Sequence, residues 1–133
     1  MEKEQLLKPI AKVVKNGTPY IGWSAGTNLA CPTIKTTNDM PVVYPKSLNA
    51  LHLIEYQVNP HYTDQRIPNH GGESREERIG EFLFKNKDAT VFGLREGSII
   101  EVKKNVFMLH GNHTVRVFKY AHAPFEADGF GFL

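Results

Sequence analysis

Five residues, Gly22-Trp23-Ser24-Ala25-Gly26, constrain this chain more than any others. A serine flanked at two residues' distance by glycine, after a short apolar run and before small residues, is the pattern of a sharp strand-to-helix turn. The backbone at such a turn is crowded, so its flanking positions must be small. The turn lifts the serine hydroxyl out of the chain and aims the next backbone N–H, that of Ala25, at the same point. A nucleophile and an oxyanion donor would then come from adjacent residues. The competing structural reading is a glycine-rich turn whose hydroxyl only caps a helix.

The rest of the chain reads as an alternation. Residues 1–17 carry Leu6, Leu7, Ile10, Val13 and Val14 at helical spacing, stopped by Asn16-Gly17, with Pro9 in the first turn. Tyr20 to Trp23 reads as a short buried strand, and residues 25–31 as two helical turns ended by Pro32. A long loop runs from Cys31 to Pro45. Leu51 to Asn59 reads as a strand stopped by Pro60, followed by a polar loop over 60–72. Ser74-Arg75-Glu76-Glu77 is a capping box, and the helix it starts buries Ile79, Phe82 and Leu83 and ends near Asn86. Thr90 to Leu94 is the next strand. Ser98–Val102, Val106–Leu109 and Thr114–Lys119 then read as an antiparallel meander, and the last dozen residues as irregular. This order predicts one α/β domain over 1–133, a mostly parallel sheet flanked by helices with a C-terminal antiparallel meander.

In such sheets the active site lies beyond the carboxyl ends of the strands. Ser24, His61 and Glu96 each follow a predicted strand end and are therefore expected on one rim. Serine, histidine and carboxylate are the parts of an acyl-transfer triad: the imidazole takes the hydroxyl proton and returns it to the leaving amine, and the carboxylate fixes the tautomer. Asp39, in the Thr36-Thr37-Asn38-Asp39 loop, is a rival carboxylate that follows no strand; its structural reading is an Asx-turn. Position favours Glu96, and both remain candidates.

Composition excludes several classes. The 133 residues are 41% hydrophobic with a net charge of +2, and no basic stripe points to nucleic acid. No apolar run reaches the ~18 residues of a membrane span, and the mixed-charge N-terminus lacks the apolar core of a secretory signal. The single cysteine, Cys31, cannot form an internal disulfide and fits a reducing cytoplasm. The six histidines show no helical His-x-x-x-His pair, so no metal is expected. No nucleotide fingerprint appears and no cofactor is expected.

Gly22-Trp23-Ser24-Ala25-Gly26-Thr27-Asn28-Leu29-Ala30-Cys31-Pro32-Thr33 and Thr36-Thr37-Asn38-Asp39-Met40-Pro41 closely resemble the peptidase E family of serine peptidases. So do Asn59-Pro60-His61, Gly72-Glu73-Ser74-Arg75-Glu76-Glu77-Arg78-Ile79 and Gly93-Leu94-Arg95-Glu96-Gly97. The resemblance implies a flavodoxin-like fold akin to class I glutamine amidotransferases and hydrolysis of dipeptides with an N-terminal aspartate. It implies Ser24 as nucleophile, His61 as base, either Asp39 or Glu96 as third member, and Arg75 as the cation that grips the substrate side chain. From the sequence alone Arg75 is an ordinary helix-start residue. The match covers only the C-terminal part of the family. The family's upstream portion, with central strands and a Gly-Gly-Gly-Asn-type loop for a second oxyanion donor, has no counterpart before Ser24. The expectation is accordingly a dipeptidase, or a weakly active or inactive relative serving as a binding module, or an assembly in which self-association or a partner chain completes the sheet. A cyanophycinase-like hydrolase is a further alternative.

Overall fold

A computed structural model describes residues 5–40, 42–65 and 72–133. Pro41 and residues 66–71 of the expected polar loop lie outside the described residues, as do the first four positions of the expected N-terminal helix. The elements are mixed α/β, and their contacts gather the chain into two compact units, residues 1–60 and 61–133.

The first unit holds helices α1 (Leu7–Lys15) and α2 (Ala25–Ala30) and strand β1 (Gln57–Pro60). Pro9 stands in the first turn of α1, where a missing N–H costs no hydrogen bond. The core is small and partly polar. Cys31, Leu51 and Val58 are buried together with Asn28, Thr36, Gln57 and Asn59. The Val58 carbonyl accepts from Asn28 Nδ2 and from Thr36 Oγ1, both at 2.9 Å, which ties α2 and the following loop to β1. The base of the long loop is stitched by a bridge between Thr33 and Asn49 and by Ile34 N–H donating to the Leu48 carbonyl.

Two expectations fail here. Tyr20–Trp23 forms no strand: Ile21 is 85% exposed and Trp23 79% exposed. Its apolar residues carry the pattern of a buried strand, but a strand exists only against a partner, and none pairs with it among the described residues. The Leu51–Asn59 strand shrinks to Gln57–Pro60, because residues 53–56 bend and the N–H groups of residues 50–54 bond back to Pro32, Leu29, Cys31 and Ala30 carbonyls.

The second unit is built from α3 (Arg75–Lys85), β2 (Thr90–Leu94), β3 (Ile99–Lys103), β4 (Val106–His110), β5 (Val115–Lys119) and β6 (Phe125–Ala127). The capping box forms in full: Ser74 Oγ accepts from Glu77 N–H and the Glu77 carboxylate accepts from Ser74 N–H. The expected meander divides. β3 and β4 make a separate hairpin, while β5 pairs antiparallel with β2 on one side and β6 on the other. Burial explains the choice. Val115 and Val117 are fully buried, whereas most of β3 and β4 is open to solvent, so β5 takes the interior position. β6 also falls within the tail expected to be irregular.

Both faces of β2 are covered. Val91 joins Tyr62, Ile79, Leu83 and Phe118 in one cluster beneath α3. Phe92, the next residue and so on the opposite face, meets Phe130 edge-on at 5.1 Å, and Phe130 in turn meets Phe107 of β4 at 5.6 Å. The aromatic tail is thus a second core layer, which fixes β6 at the sheet edge.

Candidate active site

Ser24 occupies a backbone conformation that L-residues rarely adopt, with φ 53° and ψ −120°. It is the N-cap residue of α2, yet its side chain makes no capping hydrogen bond. The hydroxyl is therefore not spent on the helix, which removes the capping alternative. The turn is held from both sides. Thr27 Oγ1 donates to the Gly22 carbonyl at 3.1 Å, and Tyr20 Oη donates to the Gly26 carbonyl at 2.7 Å. A Cβ on Gly22 would come within 2.6 Å of the Gly26 carbonyl oxygen, so this glycine is demanded by close approach. At Gly26 the nearest atom would be Tyr20 Oη at 3.9 Å, and no such demand exists. The N–H groups of Gly26 and Thr27 turn back to the carbonyls of Trp23 and Ser24. The Ala25 N–H stands at the first helical position, where a helix offers no acceptor of its own.

Asp39 is exposed within the loop that follows α2, with its N–H directed to Thr37 Oγ1 at 3.3 Å. Its neighbour Asn38 is bound inward, donating to the Pro60 carbonyl at 2.7 Å and accepting from Asn59 Nδ2 at 2.6 Å. Cys31 lies beneath α2. Burial pushes its thiol up to about 12, only partly offset by the Val58 N–H that it accepts. It is a packing residue and not a nucleophile.

In the second unit, His61 Nδ1 and Glu96 Oε1 are hydrogen-bonded to each other. His61 directly follows β1 and Glu96 lies just beyond β2. The residues beside them are anchored. Tyr62 N–H donates to the Leu94 carbonyl at 3.0 Å, and the Tyr62 ring lies flat against Gly93, where a Cβ would meet its Cγ at 2.6 Å. His61 itself has φ 55°, a left-handed bend that lets its side chain diverge from that of Tyr62. Arg75 is the first residue of α3 and half buried. Among the described residues no cluster of three or more His, Cys, Asp or Glu side chains could hold a metal ion, and no helix is long and apolar enough to cross a membrane.

Beside this pair lie groups that the sequence does not single out: Tyr62, Gly93 and the Arg95 guanidinium with its carboxylate partners Asp64 and Glu126. The one available signal was Gly93 in the middle of an apolar strand, which marks a close approach.

The sequence model of peptidase family S51 matches residues 1–109. The chain belongs to peptidase family S51. Among curated relatives, peptidase E of Nostoc sp. is 51% identical over 126 residues, covering 95% of this chain and 52% of that protein. Peptidase E of Escherichia coli strain K12 is 52% identical over 124 residues, covering 92% of this chain and 54% of that protein, and the same figures hold for peptidase E of Shigella boydii. This S51 chain thus spans about half the length of the curated relatives it matches.

Proposed function

We propose that this S51 chain carries the catalytic groups of a serine-type dipeptidase acting on dipeptides with an N-terminal aspartate. The observation that carries this reading is the His61–Glu96 hydrogen bond. With a carboxylate on Nδ1–H, the imidazole presents Nε2 as a base, which is the arrangement that activates a serine. It supports Glu96 over Asp39 as the orienting carboxylate. Ser24 is the nucleophile in this reading. Its Oγ attacks the peptide carbonyl while His61 Nε2 takes the proton, and the Ala25 N–H receives the developing oxyanion. His61 then gives the proton to the departing amine, and water releases the aspartyl group from Ser24 by the same steps reversed. The strained bend at Ser24 and its unused hydroxyl support this role.

Arg75 is the proposed partner of the substrate's side-chain carboxylate, which a guanidinium can grip with two parallel hydrogen bonds. A cation at the first turn of α3 opposes the helix dipole, a cost that a bound anion offsets. The finer fold, a flavodoxin-like sheet akin to class I glutamine amidotransferases, belongs to the same proposal, as does a cytoplasmic setting suited to the reduced, buried Cys31.

Hydrolysis of Asp-Leu and Asp-p-nitroanilide tests the reading. Ser24→Ala and His61→Ala should each abolish turnover, and Arg75→Ala should lower the preference for aspartate over leucine at the N-terminal position. Turnover that survives Ser24→Ala would sink it. The exposure of Ile21 and Trp23 favours a second reading, in which the apolar face before Ser24 is covered by further polypeptide, by self-association or a partner chain, before the site works. Light scattering alongside the activity assay separates the two, because full activity in a monomer excludes the second.

A further inference from the structure

The His61–Glu96 pair is open to solvent, with side chains 44% and 79% exposed. An exposed pair of this kind contributes little to its own geometry, because water screens it and both side chains lose rotamer freedom. Something beneath it must do the holding. Arg95, adjacent to Glu96, is the most enclosed charged group nearby, its side chain only 18% exposed. Its guanidinium grips Glu126 of β6 with two parallel bonds, Nη1 and Nη2 each donating at 2.9 Å. Nη1 also donates to the Thr114 carbonyl at 3.0 Å, and Nη2 to Asp64 Oδ2 at 2.7 Å. The group lies over the Tyr62 ring, 5.3 Å from its centre, and Tyr62 Oη donates to the other Asp64 oxygen at 2.9 Å.

These contacts run to both sides of the pair. Asp64 and Tyr62 belong to the segment that carries His61, and Arg95 is covalently next to Glu96. Arg116 of β5 stands behind the cluster, 3.3 Å from Glu126 and 3.8 Å from Glu76. It shares the Glu126 carboxylate with Arg95. We propose that Arg95 is a positioning residue: by clamping Asp64 and Tyr62 to β6, it sets the segment after β1 against the turn after β2 so that Glu96 meets His61 Nδ1. The role in catalysis rests on the proposed function; the structural role does not.

The tautomer of His61 provides a readout that mere stability does not move. A neutral imidazole left alone favours the Nε2–H form, and a carboxylate accepting from Nδ1–H reverses the preference. Nitrogen-15 shifts of the His61 ring, recorded in the full chain above the pH where the ring is charged, report the ratio. Wild type should show predominantly Nδ1–H. Arg95→Met should shift the ratio toward Nε2–H, as Glu96→Gln does by a direct route, and Arg95→Lys should restore it in part. Should Arg95→Met fail to fold, Glu126→Gln gives the same comparison with one anchor weakened. A ratio unchanged from wild type in the folded variant, Arg95→Met or Glu126→Gln, overturns the proposal. If the chain hydrolyses Asp-Leu, Arg95→Met should lower kcat on the order of 10- to 100-fold with little change in KM, and its effect should fall short of additive with Glu96→Gln. Absence of hydrolysis in wild type would count against the dipeptidase reading and leave the tautomer experiment decisive for Arg95.

Discussion

A methyl group added at position 93 should be costly, and the same methyl at position 80 should be favourable. In Gly93→Ala the new Cβ would lie 2.6, 2.8 and 3.0 Å from three carbons of the Tyr62 ring. Carbon atoms in contact sit ~3.5–4.0 Å apart, so the ring must retreat by roughly 1 Å. It has nowhere to go. Tyr62 is 3% exposed, its ring meets Phe118 edge-on at 5.5 Å, and its hydroxyl is bound to Asp64. Overpacking of this kind costs ~1–3 kcal/mol. Gly80 lies within α3, exposed, with nothing within 4 Å of an added Cβ. Replacing a helical glycine there should gain ~0.5–1 kcal/mol by restricting the unfolded chain. The two variants should therefore differ by ~1.5–4 kcal/mol, which at a slope of ~1–3 kcal/mol per molar of urea separates their midpoints by roughly 1 M. Urea unfolding followed by far-ultraviolet circular dichroism measures this. Adding Tyr62→Leu to Gly93→Ala should recover part of the loss, since the partner in the clash is then smaller. A Gly93→Ala midpoint equal to or above that of Gly80→Ala would refute the claim that the ring is fixed by that glycine.

Four further outcomes are expected. Gly22→Ala should destabilise the turn by ~1–3 kcal/mol, because the obstacle is backbone, while Gly26→Ala should be tolerated; equal melting temperatures for the two would contradict the packing at Ser24. Cys31 should resist alkylation by iodoacetamide in native buffer and react once urea is added, and rapid native labelling would show that the thiol is not enclosed. The Arg95 guanidinium holds the carboxyls of Asp64 and Glu126 below their ordinary values. Their stabilisation is then present above the unfolded values near pH 4 and lost as pH falls through the lower folded values. Glu126→Gln should flatten the decline of the urea midpoint as pH falls below the ordinary carboxylate range, and an unchanged slope would count against that stabilisation. In the proposed mechanism Glu96→Gln should reduce Asp-Leu turnover far more than Asp39→Asn, and the reverse order would move the proposed orienting role to Asp39.

What was legible in the sequence was local. The capping box at Ser74–Glu77 declares its own hydrogen bonds within four residues, and it forms as written. The bend at Ser24 is also a short-range event, a matter of small residues two positions away. Long-range pairing was not legible. β5 follows the β3–β4 hairpin closely enough to suggest a third meander strand, and only the need to bury Val115 and Val117 sends it to β2 instead. Tyr20–Trp23 has the apolar content of a strand, but content cannot supply a neighbour. The Arg95 cluster was hidden for a different reason. Its members come from four separate stretches, around Asp64, Arg95, Thr114 and Glu126, and nothing in any one of them signals the others.

His61 and Tyr62 are chain neighbours that point different ways, one to solvent and one into the interior, and Glu96 and Arg95 repeat the arrangement. Each outward-facing group is back to back with an anchor. The outward member of either couple can be exchanged during evolution with the scaffold intact, so new chemistry could be tried cheaply at 61 and 96. Drift in the interior has no such freedom. A change at Phe118, which packs edge-on against the hidden Tyr62 ring, would surface as an altered imidazole bearing, and variants selected for thermal resilience in this half of the chain should be screened for turnover before they are kept.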